Sequence, residues 1–74
     1  METNRIIQAL LMSLSSDQLI VEDDIERVLN EKTKTLEIRV LEVKELLSKL
    51  ITIEQSIVKI QTMLQNNNEI KKQD

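Results

Sequence analysis

The 74-residue sequence contains no cysteine, histidine, glycine, proline, phenylalanine, tyrosine or tryptophan. Without cysteine there is no disulfide framework, no thiolate metal site and no thiol redox chemistry. Without histidine as well, the usual nucleophile–base pairs and nearly all zinc sites are unavailable, so no catalysis and no cofactor are expected. The missing glycine leaves no position reserved for a positive φ angle, and the missing proline leaves every residue with its amide proton. Both absences favour helix over strands and tight turns. With no aromatic ring to anchor a core, any core must be aliphatic.

Long hydrophobic runs are also missing. The apolar stretch at residues 6–14 is interrupted by Gln8 and Ser13 and falls far short of the roughly 20 residues a membrane-spanning helix needs. Arg5 before that stretch and Ser13-Leu14-Ser15 after it give residues 1–15 a weak likeness to a signal peptide. Glu2 offsets Arg5 and Gln8 interrupts the apolar run, so an intracellular, cytoplasmic location is expected. Glycine-rich phosphate loops are absent. Lys32, Lys34 and Arg39 form the densest basic group, but they have no aromatic neighbours and the chain is net acidic at −3. Nucleic acid is therefore not expected as a partner. Glu22, Asp23 and Glu26 are better read as a solvated face than as a metal site, since no looped array of oxygen ligands surrounds them.

What is present is a 41% apolar fraction, too high for simple disorder, distributed at helical spacing. Ile6, Ile7, Leu10, Leu11 and Leu14 lie on one face of a short N-terminal helix, residues 1–14, expected to act as a docking element. Ser15 and Gln18 have the spacing of a capping box, flanked by Leu14 and Leu19 at the positions of a hydrophobic staple. These features predict a break near Ser15 and a second helix beginning there. Asp17, Glu22, Asp23 and Asp24 suit the positive end of that helix's dipole. The second helix is expected to run over 15–66, ending at Asn66-Asn67-Asn68 and followed by a polar tail, 67–74. Its weakest stretch is 30–35, polar and poor in helix propensity, where a bend or hairpin turn is the alternative to one continuous rod.

Leu29, Leu36, Val43, Leu50, Ile57 and Leu64 recur at a strict heptad interval. A second line begins at Val40 and Leu47 and then crosses to Leu46, Ile53 and Ile60, as in a stammer at Leu50. The apolar face widens near Leu46, Leu47, Leu50 and Ile51 and again at Ile57 and Val58, which suits a three- or four-helix bundle. Charge is uneven: residues 17–31 hold six acidic side chains and one basic, residues 32–72 eight basic and five acidic. Antiparallel pairing relieves that asymmetry. The expectation is an all-α coiled-coil scaffold or adaptor subunit that assembles with other protein helices, its own copies or another chain's, into an oligomeric bundle. The alternative is a small regulatory protein, such as a viral or phage inhibitor, that presents a helix to a larger target.

Overall fold

The computed structural model describes the backbone of residues 2–73 and the side-chain surroundings of residues 3–66. Two helices, α1 (Glu2–Asn30) and α2 (Leu36–Gln73), pack against each other. They fold back to back as a helical hairpin measuring 60 × 16 × 12 Å. Its radius of gyration, 17.2 Å, exceeds the roughly 11 Å of a compact domain of this length.

Three expectations about helix boundaries are corrected. First, α1 passes through Ser15 without a break. A capping serine needs a non-helical backbone, whereas serine and glutamine inside a helix cost only a few tenths of a kcal/mol each. Against that small gain stands a stripe that a break would split. Ile7, Leu11, Leu14, Gln18, Val21, Ile25 and Val28 step alternately by four and three along α1, and none of them is fully exposed. Second, the long second helix does not start at Ser15, because the chain reverses at residues 31–35. Third, the backbone of α2 continues through Asn66-Asn67-Asn68 to Gln73, since asparagine lowers helix propensity but neither removes a donor nor clashes as proline does.

The reversal is made by short-range polar contacts. Asn30 closes α1 by donating from Nδ2 to the Glu26 carbonyl at 3.0 Å, and the Glu31 amide donates to the Val28 carbonyl at 3.1 Å. The Glu31 carboxylate accepts from the amide of Thr33 at 3.1 Å and from its hydroxyl at 2.6 Å. These two bonds, the hydroxyl's first, hold the Glu31 carboxyl below its ordinary pKa. Thr35 caps α2: its carbonyl accepts from the Arg39 amide at 3.1 Å and its hydroxyl from the Ile38 amide at 3.4 Å. Lys34 reaches over the first turns of α2 to Glu42 at 2.8 Å.

The α2 stripe is also regular. Its inward line runs Arg39, Val43, Leu46, Leu50, Ile53, Ile57, Ile60 and Leu64, alternating four and three throughout. Counted outward from the turn, the two lines have the same steps, so Val28 comes level with Val43, Val21 with Leu50, Leu14 with Ile57 and Ile7 with Leu64. The expected stammer at Leu50 is absent: Arg39 and Leu46 carry the second line, and Val40 and Leu47 stand outside it. Arg39 fits because its guanidinium leaves the apolar layer to donate to the Val28 and Leu29 carbonyls, at the negative end of the α1 dipole.

A candidate helix-docking face

Packing two helices along one line leaves most of each helix uncovered. Among the described residues only Val21, at 8% exposure, is buried, while Ile7, Leu11, Leu14, Leu46, Leu50, Ile53, Ile57, Ile60 and Leu64 are only half-buried. The accessible surface is 6307 Å², whereas the size scaling for folded monomers gives about 4,700 Å² for 8.6 kDa.

The uncovered apolar side chains divide between the two broad faces of the hairpin. The linings of two shallow hollows identify which residues share a face. Leu29, Leu36, Val40 and Lys44 line one hollow beside Val28 and Val43; Asp17, Ile20, Lys49 and Thr52 line the other beside Val21 and Ile53. Extending each set by helical periodicity gives two different surfaces. The first face carries Met12, Leu19 and Leu29 from α1 and Leu36, Val40, Leu47, Ile51 and Val58 from α2, all exposed. Glu22, Glu26, Lys44 and Glu54 are the charges interspersed among them. On the second face Ile6, Leu10, Ile20, Ile38 and Met63 are exposed, but they are separated by Asp17, Asp24, Arg27, Glu45, Lys49 and Lys59. The first face is therefore the more continuous apolar surface.

Most of the interface residues read from the sequence thus separate into two sets. Val43, Leu46, Leu50, Ile53, Ile57, Ile60 and Leu64 turn toward α1 of the same chain. With 29 residues in place of the 14 expected of the N-terminal helix, α1 is long enough to run beside this line. Leu29, Leu36, Val40 and Leu47, by contrast, stay exposed, Leu36 by 74% and Leu47 by 43%. The N-terminal set divides likewise, with Ile7, Leu11 and Leu14 inward and Ile6 and Leu10 outward. Ser15 is exposed and Gln18 occupies an inward position level with Ile53. The reading from sequence placed Ile51 and Val58 in a widened apolar face but missed Met12 and Leu19 as face residues. The signal that finds them is their position one helical step outside each inward line.

Three hydroxyls within α2 are satisfied locally. Thr52, Ser56 and Thr62 donate to the carbonyls of Ser48, Thr52 and Val58, one turn back, at 2.8–3.0 Å, which frees them from needing a partner. No group of three acidic, histidine or cysteine side chains is placed to hold a metal ion among the described residues, and no described helix is long and apolar enough to cross a membrane. No protein-family model, curated protein or solved structure matches the chain.

Proposed function

We propose that this chain is a non-catalytic scaffold or adaptor subunit, a helical hairpin that completes a larger helical bundle by docking its first face on other helices. One observation carries the reading: eight large apolar side chains share that face, all exposed, while a single residue is buried in the described part of the molecule. The cost of leaving such a surface in water is removed only by burying it, at about 25 cal/mol per Å² of apolar area. The composition of α2 supports the same reading, because its apolar residues are spread around the helix and a helix apolar on several sides belongs inside a bundle.

The test compares the wild-type chain with a Leu47→Asp/Ile51→Asp variant. Both positions lie outside the intramolecular line, so the variant keeps the hairpin and loses the face. Native capture from the source cells, with captured proteins identified, should recover a helical partner with wild type and lose it with the variant. A wild-type chain that is monomeric and melts independently of concentration, and that captures nothing the variant does not, overturns the reading.

A further inference from the structure

Building on that reading, we infer that the first face is occupied by a second copy of this chain, with the two turns at the same end and α1 of each copy against α2 of the other. Charge selects this arrangement. In sequence α1 carries six acidic and two basic side chains and α2 five acidic and six basic. A two-fold axis along the hairpin sets acidic α1 against the more basic α2′ at both contacts. An axis across the hairpin, which puts the turns at opposite ends, brings Lys44 level with Glu54 of the second copy but sets acidic α1 against α1′ and Glu22 close to its own symmetry mate.

The residues on the face agree with the first axis. Because the antiparallel register fixes the level of every position, the same-end arrangement pairs residues that are already level within one hairpin. Val40 meets Leu29 of the second copy, Ile51 meets Leu19, and Val58 meets Met12. Lys44 meets Glu26, and neither of these two takes part in an ion pair among the described residues of the single hairpin. Both lie in the apolar part of the face, where a pair across the interface is partly screened from water. A two-fold makes each contact twice.

The test uses sedimentation equilibrium together with charge exchange and disulfide trapping, which the absence of native cysteine makes clean. Lys44→Glu and Glu26→Lys should each weaken the dimer about tenfold or more, and the double variant should recover most of the loss, because the exchanged pair restores the contact. In a mixture of Leu19→Cys and Ile51→Cys chains, oxidation should form the mixed disulfide in preference to either homodimer. Helicity measured on every variant separates loss of association from loss of the hairpin. Preferential trapping between Leu47→Cys and Ile51→Cys chains, which requires the turns at opposite ends, overturns the inference. So does a wild-type chain that stays monomeric at all concentrations. If that monomer captures a different helical protein through the same face, the second copy is ruled out while the proposal of a bundle-forming subunit stands.

Discussion

Arg39 Nε donates to the Val28 carbonyl at 3.2 Å, joining the first turns of α2 to the last turn of α1. A second nitrogen of the same guanidinium reaches the Leu29 carbonyl. Both acceptors are among the carbonyls that a helix end leaves without intrahelical partners, and glycine, the common solution, is absent from this chain. Arg39 thus adds to the closure that Asn30 and the Glu31 amide begin, and ties the start of α2 to the end of α1.

Arg39→Met keeps much of the aliphatic stem and removes the donors. It should lower the unfolding free energy by about 1 kcal/mol, the usual value of charge-assisted capping at a partly exposed helix end. Arg39→Lys should recover only part, since an ammonium group lacks the guanidinium fork that spans two carbonyls. Urea denaturation followed by circular dichroism measures both.

Ser16→Pro decides whether a helix begins at Ser15. A proline immediately after a capping serine is well tolerated, whereas in the interior of α1 it should cost about 3 kcal/mol and sharply reduce helicity. The structure predicts the second outcome. Wild-type helicity in the Ser16→Pro chain would place a helix start there.

Gln18→Leu should stabilise the hairpin. Gln18 occupies the one polar position in the inward line of α1, level with Ile53 and half-buried, and an apolar replacement there should contribute about 1 kcal/mol. The melting temperature of the dilute chain reads this out. A fall in that temperature would mean that the glutamine amide makes a necessary contact in the seam.

The turn should weaken in acid through Glu31. Its carboxyl pKa is lowered in the folded chain by the bonds from Thr33, so its contribution is present above the unfolded-state value and is lost as pH falls through the folded one. Thr33→Val removes the hydroxyl and should return the Glu31 pKa toward its ordinary value. Carboxyl-carbon NMR titration of the two chains shows the difference directly.

Much of this structure was legible in the residues, and what was missed has physical causes. Helicity followed from the absence of glycine and proline, and the line through Val43, Leu50, Ile57 and Leu64 was visible as a heptad. The place of the reversal was visible too, as the polar run around Thr33 and Thr35, but it was ranked below a continuous rod because no strong breaker marks it. The break predicted at Ser15 came from a real local motif that lost to a longer-range constraint, the uninterrupted stripe from Leu14 through Gln18 to Val21. The second line of α2 was misassigned because Arg39 is charged and pattern reading passed over it in favour of Val40. The decisive signal was the mirror symmetry of spacing on either side of residues 31–35, which only a hairpin requires.

No described residue, those of the reversal included, adopts a positive φ angle. The loop is therefore stereochemically ordinary: each of its residues sits in a backbone conformation open to nearly every amino acid. A randomised library across Lys32, Thr33 and Lys34 should yield many working sequences, whereas one across Val28, Arg39 and Val43 should yield few. The matching helix faces thus constrain the reversal more tightly than the identities of its loop residues do, and the Glu31–Thr33 bonds add to that constraint.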